Sequence, residues 1–492
     1  PDSTFFLWKG RAFSYLESNR RVDAVVRGFI RCGVERGDTV ALLMSPRPSY
    51  LSAATALSRL GAVPLLLSPE RDRTTIEESI HASAPRFLVV DPENAQLGAE
   101  LSSGVLVLGG ANEARDLPPG AIDMERIDPD EVELPSWYEP DPLCARDLAL
   151  IMLTAGRGRS PRAAKITNQR WAFSAYGTAA ACTLSPRDTV YCCLPLHHPA
   201  GMLVTISGSL VGGSRLALAT EFNPETFWDD VHRYGATVVF YAGEMLRELL
   251  RAPPSATDNQ NSIRLFAGSG LRRAVWERVV ERFGPVGILE FYASTEGNAV
   301  LANASGEKVG SLGRPLPGSA HVELARYDFD EGEFVRDEDG LLELCRDDEA
   351  GVLIARLDEE HPLASFAAGA EAGSRLVQGV LVPGDTWFIT WDVLRRDADA
   401  DFWFVDRVSR MLRTDEGRVA TRAIEDALEG LEPVRHAVVF GTSEQGADQA
   451  VAVVATTRDQ AIDLSEWNQQ VGELPASLRP AWVKRVTEIP MT

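Results

Sequence analysis

Hydrophobic positions in this chain follow two spacings, one typical of helices and one typical of buried strands. Between Tyr15 and Gly33 the apolar residues recur at helical spacing, at Val22, Val25, Val26, Phe29 and Ile30. A short apolar strand is predicted at residues 40–44 after a Gly-Asp turn, and a second helix at residues 49–60. The chain therefore begins with a helix that leads into a strand.

The same alternation continues through the first three hundred residues. Continuous apolar runs predict buried strands at residues 87–90, 105–108, 148–153, 216–219, 237–241, 264–267 and 287–291. Such runs, interleaved with helices, indicate mostly parallel sheets that are covered on both faces. The predicted fold is α/β, with a large N-terminal domain of helix-covered sheets and a small β-barrel-like sublobe.

The pattern of predicted helices and strands changes towards the C-terminus of the chain. A helix at residues 419–431, strands at 437–440 and 450–455, and a helix at 465–471 predict a small α+β unit. We expect this unit to be mobile, and we place the domains at residues 1–407 and 408–492. The Pro-rich and acidic stretch 116–142 is predicted to be a surface connection, and the acidic residues between 328 and 339 a solvated hairpin face.

Composition narrows the class of protein. The 492 residues, 45% hydrophobic and 24% charged, are typical of a soluble chain with more than one domain. A net charge of −22 argues against nucleic acid as a partner, because binding its phosphates needs clustered Lys and Arg. No apolar run reaches the roughly 20 residues of a membrane-spanning helix. Peripheral membrane contact, fusion to further domains and a leader before Pro1 stay open.

Six cysteines are spread along the chain without CxxC spacing. In a chain of this length the pattern favours reduced, buried thiols over a disulfide framework or a zinc site. We therefore expect a cytoplasmic protein.

Residues 291–298, Phe-Tyr-Ala-Ser-Thr-Glu-Gly-Asn, follow the predicted strand at 287–291. An aromatic ring, a hydroxyl and a carboxylate at the carboxyl end of a strand can stack on a base, bond a phosphate and hold Mg²⁺ at one place. The stretch therefore predicts a nucleotide site. Taken alone, it also fits a turn with a solvated glutamate.

A basic, glycine-containing loop runs from Thr154 to Lys165, directly after the strand at 148–153. Backbone N–H groups of such a loop can bind phosphates while its cations neutralise their charge. Gly156, Gly158 and Arg162 are the candidates within it. It lacks the Gly-Lys-Ser/Thr ending of a Walker A loop, and an ordinary basic turn is the alternative.

Two further segments follow predicted strands. In Pro195-Leu-His-His-Pro-Ala-Gly201, His198 is a candidate for lining a substrate pocket, and Gly201 for letting a ligand approach the backbone. A hydrogen-bonded core histidine is the alternative. Gly268-Ser269-Gly270 is a weaker glycine signal that also fits a turn.

Gly384 and Asp385 precede an apolar, Trp-rich segment, and Phe-Val-Asp-Arg407 follows it. Asp385 is predicted to hold a ribose through charge-assisted hydrogen bonds, with Arg407 reaching the same sugar or its phosphate. A turn aspartate and a surface ion pair are the alternative interpretation of each residue alone. What favours binding is the order in which all of these segments occur.

Taken in order, these segments resemble the adenylate-forming superfamily of acyl-CoA synthetases. The resemblance rests on the loop at 154–165 and on the motifs PLHHPAG, FAGSGLRR, EFYASTEGN, GSLGRPLPG, GD at 384–385 and FVDR at 404–407. RLFAGSGLRRAVWERVVERFG followed by EFYASTEGN is similar to the very-long-chain acyl-CoA synthetase and fatty-acid-transport-protein branch. The resemblance spans nearly the whole chain.

For the nucleotide, the resemblance implies that Tyr292 stacks on adenine, Thr295 bonds the α-phosphate and Glu296 holds Mg²⁺. It places Asp385 on the ribose hydroxyls with Arg407 beside it. The remaining nucleotide contacts are implied for Thr154, Gly156, Gly158 and Gly270, and catalytic roles for Thr295, Glu296 and Arg162.

For the acid, the resemblance implies that His198, Gly201, Gly268 and Ser269 border the acyl pocket. A fatty or hydrophobic carboxylate attacks the α-phosphorus of ATP to give acyl-AMP and pyrophosphate. A thiol then takes the acyl group, after the small domain has turned about a hinge near residues 408–410. The implied cofactors are ATP, Mg²⁺, and CoA or a carrier-protein phosphopantetheine arm.

A second interpretation is an adenylation-like domain that has lost catalysis and binds ligands or scaffolds a larger protein. Arg157 and Arg159 replace hydroxyl residues of the family's loop. Arg410, Asp415 and Glu416 stand where the family has an acidic hinge residue and a Lys-Gly pair. The segment that supplies the family's adenylation lysine would begin beyond Thr492.

Overall fold

The structure, a computed structural model, describes residues 2–110, 115–154, 162–293, 297–363, 375–414, 417–431, 433–443, 448–456 and 462–489. The chain divides into two units. The first consists of Pro1–Glu296, Val300–Gly310 and Leu363–Ala372. The second consists of Gly297–Ala299, Ser311–Pro362 and Gly373–Thr492.

Strands and helices alternate along most of the first unit. Its described strands are β1 (Thr4–Trp8), β2 (Arg11–Ser14), β3 (Thr39–Leu43), β4 (Val63–Leu67), β5 (Phe87–Val90), β6 (Val105–Val107), β7 (Ile122–Asp123), β8 (Leu148–Thr154), β9 (Arg162–Thr167), β10 (Thr189–Cys192), β11 (Arg215–Leu218), β12 (Val238–Ala242), β13 (Leu265–Ser269), β14 (Gly287–Ala293) and β15 (Val300–Asn303). Its described α-helices are α1 (Tyr15–Arg31), α2 (Pro48–Leu60), α3 (Arg73–Ser83), α4 (Ala95–Leu101), α5 (Asn168–Ala181), α6 (Ser207–Gly212), α7 (Phe227–Tyr234), α8 (Gly243–Arg251) and α9 (Arg273–Phe283).

Two mostly parallel sheets form the body of this unit. In one, the strands of this unit run in the order β15-β14-β13-β12-β10-β11-β1-β2, where β15 is antiparallel to β14 and β2 to β1, and the other pairs are parallel. In the other, the order is β7-β6-β5-β3-β4-β8-β9, and only β9 is antiparallel. The predicted parallel sheets are confirmed.

Helix α1 shows why the local sequence folds as it does. Ser14 caps its N-terminus, because the serine hydroxyl accepts a hydrogen bond from the Glu17 N–H at 3.2 Å. The Glu17 carboxylate accepts in return from the Ser14 N–H at 2.7 Å, which completes a capping box. The stripe predicted for this helix is buried, since Val25 and Val26 are each only 2% exposed and Phe29 is fully buried.

The second unit is richer in antiparallel strands. Its described strands are β16 (Arg314–Pro315), β17 (Val322–Ala325), β18 (Tyr327–Asp328), β19 (Glu333–Phe334), β20 (Ala350–Arg356), β21 (Leu376–Gln378), β22 (Thr386–Arg396), β23 (Phe402–Arg407), β24 (Met411–Thr414), β25 (Gly417–Ala420), β26 (Val434–Ser443), β27 (Asp448–Thr456) and β28 (Trp482–Val486). Its described α-helices are α10 (Thr421–Glu429) and α11 (Leu464–Gly472).

Two separate cores stabilise this unit. Strands β17, β20, β22, β21 and β23 form an antiparallel sheet whose core includes Trp387, which is fully buried. Strands β26, β27 and β28 form a three-stranded sheet, and its core with α10 and α11 includes Ile424 and Leu428. The predicted fold class, a large α/β body followed by a small α+β part, is confirmed. The boundary at residues 407 and 408 stays a prediction.

Candidate functional site

The edge of the larger parallel sheet gathers several of the predicted site residues. Strands β10, β12, β13 and β14 are parallel neighbours, so their carboxyl ends lie at one edge. The chain leaves β10 towards β11 on one side and leaves β12 towards β13 on the other. Adjacent strands whose connections diverge in this way open a crevice, and ligands of α/β proteins bind in such crevices.

His198 lies in the turn that follows β10, beside this crevice. Its Nδ1 accepts a hydrogen bond from the Ala200 N–H at 3.2 Å, which leaves the proton of the neutral ring on Nε2. Burial and the nearby Arg71 lower its pKa. Burial, His198 and Arg71 lower the pKa of His197, which sequence reasoning overlooked, to about 4. At neutral pH both rings are therefore uncharged.

Gly201 is the second residue of a π-helix, Ala200–Ile206, that continues into α6. A Cβ atom at Gly201 would lie 2.2 Å from the carbonyl oxygen of Pro195, so only glycine fits here. The sequence predicted that a ligand approaches Gly201 closely; here the group that lies so close is the Pro195 carbonyl of the same turn. π-Helical turns occur often at functional sites, and contact between Gly201 and a ligand stays a prediction.

Gly268 and Ser269 end β13, and Gly270 follows with φ of +84°, the left-handed region that favours glycine. Tyr292, near the carboxyl end of β14, is partly exposed. The structure therefore brings His198, Gly268–Gly270 and Tyr292 to the same edge of one sheet. Thr295 and Glu296, the predicted phosphate and Mg²⁺ ligands, lie outside the described residues.

The predicted phosphate loop joins β8 to β9. The two strands are antiparallel, with Thr154 and Arg162 as Cα partners, so residues 155–161 connect the ends of a hairpin. Gly156 and Gly158 lie in that segment, outside the described residues, as does the side chain of Thr154. Strand β9 was not predicted. Arg162 begins it and is partly exposed.

In the second unit, the carboxylate of Asp385 closes its own turn. Its Oδ1 accepts from the Val380 N–H at 2.7 Å, and its Oδ2 accepts from the Leu381 N–H at 3.0 Å and from Trp387 Nε1 at 2.9 Å. The Val382 N–H donates to Oδ2 at 3.4 Å. Burial raises the pKa of Asp385, but these hydrogen bonds outweigh burial and lower it.

Asp392, which sequence reasoning missed, is the carboxylate that lies beside Arg407. The two residues are Cα partners in β22 and β23, and Arg407 Nε lies 3.3 Å from Asp392 Oδ1. Asp385 is seven residues earlier along the chain, roughly 20 Å away in an extended strand. The expectation that Asp385 and Arg407 grip one ribose is therefore wrong in its pairing. Whether Asp385 binds nucleotide by itself stays a prediction.

A bulge in β22 determines the position of Asp392. Trp391 has φ of +63°, which is rare for a bulky residue. The Thr390 hydroxyl donates to the Leu353 carbonyl at 2.8 Å and accepts from the Asp392 N–H at 3.1 Å. The Trp391 ring packs edge-on against Tyr327, with centroids 5.9 Å apart. A carboxylate held beside a mostly exposed arginine can receive the hydroxyls of a sugar.

The predicted hinge is a 3₁₀ turn, Val408–Arg410, which joins β23 to the C-terminal core. Arg410 forms ion pairs with Glu425 and, at 3.9 Å, with Asp406. Both carboxylate side chains are only 2% exposed. Asp406 also accepts from the Thr421 hydroxyl at 2.9 Å, so this turn is fastened from both sides.

The acidic hairpin β18–β19 contacts the strands that follow this turn. Asp330 keeps an exposed side chain, as expected of a solvated face, but it forms ion pairs with Arg418 at 3.1 Å and Arg413 at 3.6 Å. Arg418 also donates to the carbonyl of Phe329 at 2.7 Å. These contacts join the hairpin to strands β24 and β25.

Three general expectations can also be compared with the structure. All six cysteines are free thiols, and four of them are buried. Each helix in the described ranges is too short or too polar to cross a membrane. Within the same ranges, no three His, Cys, Asp or Glu side chains are grouped so that they would hold a metal ion.

Comparison with known proteins gives a consistent result. The sequence model of a family described as AMP-binding enzymes matches residues 1–349. Long-chain fatty acid transport protein 6 of Mus musculus is 29% identical, with 98% of this chain and 80% of the relative covered. Long-chain fatty acid transport protein 3 of Homo sapiens is 31% identical, with 91% and 67% covered. Medium/long-chain-fatty-acid–CoA ligase FadD6 of Mycobacterium tuberculosis is 27% identical, with 100% and 81% covered.

Solved structures share the fold. ATP-bound MatB from Rhodopseudomonas palustris has a TM-score of 0.81 and 20% identity, and the match covers 100% of this chain and 93% of that one. O-succinylbenzoate coenzyme A synthetase (MenE) from Bacillus subtilis, in complex with ATP and magnesium ion, has a TM-score of 0.80 and 20% identity, with 100% and 94% covered.

Proposed function

Because the chain belongs to the family of AMP-binding enzymes, we propose that it activates a fatty or otherwise hydrophobic carboxylic acid with ATP and transfers the acyl group to a thiol. The single observation that carries this proposal is the gathering of His198, Gly268–Gly270 and Tyr292 at one edge of the sheet, the edge at which the crevice between β10 and β12 opens. The similar proteins named as fatty-acid–CoA ligase and fatty acid transport proteins support the choice of acid.

The adenine and the ribose are each assigned to a side chain of their own. Tyr292 offers a partly exposed ring for stacking on adenine. Asp392, with Arg407 at 3.3 Å, is proposed to accept hydrogen bonds from the ribose hydroxyls in place of Asp385. The carboxylate of Asp385 already has four N–H donors within its own turn.

The phosphates are assigned to the loop between β8 and β9 and to the segment after β14. Arg162 is proposed to neutralise pyrophosphate, Thr295 to bond the α-phosphate and Glu296 to hold Mg²⁺. Mg²⁺, when bound, supplies charge neutralisation on the phosphate oxygens. The roles of Arg162, Thr295 and Glu296 rest on sequence motifs.

The acid is assigned to the turn after β10 and the end of β13. The lowered pKa values of His197 and His198 leave this region without imidazolium charge at neutral pH, which suits an apolar chain. Gly201, Gly268 and Ser269 are proposed to border the same pocket.

The proposed reaction proceeds in two steps. A carboxylate oxygen forms a bond to the α-phosphorus of ATP, and the bond to the β-phosphate oxygen breaks, which releases pyrophosphate. The sulfur of CoA, or of a carrier-protein phosphopantetheine arm, then bonds to the acyl carbon while AMP leaves and the thiol loses its proton. Because both steps develop charge on oxygen, the protein contributes mainly placement and charge neutralisation.

Acid-dependent exchange of labelled pyrophosphate into ATP tests the first step. We expect exchange with at least one member of a panel of fatty acids when the protein has its full natural length. A folded protein that binds ATP but shows no exchange with any acid would contradict the enzyme proposal.

That negative outcome would favour the second candidate, a ligand-binding domain that has lost catalysis. One structural observation favours it: Arg410, at the predicted hinge, is paired with Glu425 and Asp406, which are buried. This arrangement opposes the rotation that transfer to a thiol requires.

We also propose that the protein acts in the cytoplasm, with peripheral membrane contact as one route to its acid. Six free cysteines support a reducing compartment. Cell fractionation followed by a carbonate wash tests this. Recovery of the protein only in a periplasmic or extracellular fraction would contradict it.

A further inference from the structure

Three neighbouring parallel strands place Tyr241, Gly268 and Glu290 side by side at the crevice edge. Tyr241 and Gly268 are Cα partners in β12 and β13, and Gly268 and Glu290 are Cα partners in β13 and β14. A Cβ atom on Gly268 would lie 2.1 Å from the Tyr241 carbonyl oxygen and 2.7 Å from its ring. Because glycine has no Cβ, the ring lies across Gly268, and its hydroxyl donates to Glu290 Oε2 at 2.6 Å.

The other oxygen of Glu290 holds the loop that follows β13. Its Oε1 accepts from the Gly270 N–H at 2.6 Å and from the Leu271 N–H at 3.1 Å. Glu290 is only 2% exposed and Tyr241 only 1%. Burying a carboxylate costs free energy unless hydrogen bonds compensate it, and here three donors do so. A residue needed only to fill this space would be apolar.

Glu290 also lies on the strand that carries Tyr292. Residues two positions apart in a strand point to the same face, so the brace and the proposed adenine contact share one side of the sheet. Glu290 therefore links the strand of Tyr292 to the loop at 268–271, where the acid is proposed to bind.

We propose that Glu290 is a positioning residue, which together with Tyr241 fixes the backbone of residues 268–271 relative to Tyr292. We call these two side chains and the amides of Gly270 and Leu271 the Glu290 brace. The brace deepens the proposed function and rests on it, because it sets the distance between the acid and the nucleotide.

Kinetics of two conservative variants test the proposal. Tyr241→Phe removes one donor from Glu290, and Glu290→Gln keeps the shape but removes the charge. We expect each to lower kcat/KM for the acid about tenfold, with KM for ATP within about twofold of wild type. Tyr191→Phe is the matched control, because it removes a hydrogen bond from a buried tyrosine to Asp230, 3.1 Å long, elsewhere in the same sheet.

A purely structural role would give a different result. All three variants would then unfold at lower denaturant concentration but keep wild-type kcat/KM while folded. That outcome would overturn the proposal.

Amide hydrogen exchange gives a readout that needs no turnover. We expect faster exchange at residues 268–271 in Tyr241→Phe and Glu290→Gln, and no change there in Tyr191→Phe. Unchanged protection in both brace variants would overturn the brace even if the enzyme is active. If the wild-type protein activates no acid, faster exchange confined to 268–271 would still support the brace, while the proposed function would fail.

Discussion

Replacing Asp392 and Asp385 separately by alanine distinguishes the two carboxylates that were considered for the ribose. Asp392 lies beside Arg407, whose side chain is 68% exposed, so the ion pair itself adds little to stability, at most about 1 kcal/mol. Two sugar hydroxyls that donate to this carboxylate are worth more. Their loss should weaken AMP binding by about 1.5 to 3 kcal/mol, or roughly 10- to 150-fold in Kd.

Asp385→Ala should show the opposite pattern. Its carboxylate receives four N–H donors from Val380, Leu381, Val382 and Trp387, all within one turn. Removing an ionised acceptor from these donors should lower the free energy of unfolding by about 2 kcal/mol or more. Since none of these bonds involves a ligand, AMP affinity should stay within about twofold of wild type.

Calorimetric titration with AMP and urea denaturation measure both quantities on both variants. The expected result is a crossed pattern, in which Asp392→Ala loses affinity and Asp385→Ala loses stability. If Asp385→Ala loses affinity and Asp392→Ala does not, the assignment from strand register is refuted. Losses of affinity in both folded variants would mean that the β22–β23 register does not define the sugar site.

Three further predictions follow from the first unit. Arg162→Ala should weaken binding of ATP about tenfold but that of AMP less than twofold in calorimetry, because only ATP carries the pyrophosphate; equal losses would indicate a folding defect. With the pKa of His197 lowered from 6.5 to about 4, the unfolded chain takes up a proton below pH 6.5 that the folded protein does not. The free energy of unfolding, measured by urea denaturation, should therefore fall as pH decreases from about 6.5 to 4. His197→Gln should make this fall less steep, and an equally steep fall in the variant would contradict the prediction. Gly268→Ala should cost about 1 to 3 kcal/mol of stability, since its Cβ would meet Tyr241. Gly177→Ala, where a Cβ meets nothing within 4 Å in the middle of α5, should instead be stabilising, and equal effects of both would refute the steric argument.

Continuous apolar runs were the most reliable signal in the sequence. Strand β5, Phe87–Val90, has the predicted bounds, because four apolar residues between polar neighbours leave little choice. Strand β4 was missed, since Pro64 in its run argues against a central strand, yet β4 lies between β3 and β8. The proline pairs with Val40 and is buried there.

Sequence motifs predicted which segments supply the candidate site, but not how their residues pair. The order of strands determines that the segments after β10, β13 and β14 meet, and periodicity cannot supply that order. Choosing between Asp385 and Asp392 required the register of β22 on β23, in which Asp392 and Arg407 are partners. The bulge at Trp391 shifts the pairing of β22 with β20. A tryptophan in the left-handed region carries no sequence signal, because glycine is the residue expected there.

The fastening of the turn at 408–410 has a kinetic consequence. Because Asp406 precedes this turn and Glu425 follows it, a swing of the C-terminal core about the turn must withdraw the Arg410 guanidinium from at least one of these two carboxylates, which water hardly reaches. A charge stranded in the interior costs about 3 kcal/mol or more, which would slow each swing by roughly a hundredfold. Breaking the ion pairs of Arg410 would then limit the turnover rate of this enzyme, and formation of the bond to the α-phosphorus would not.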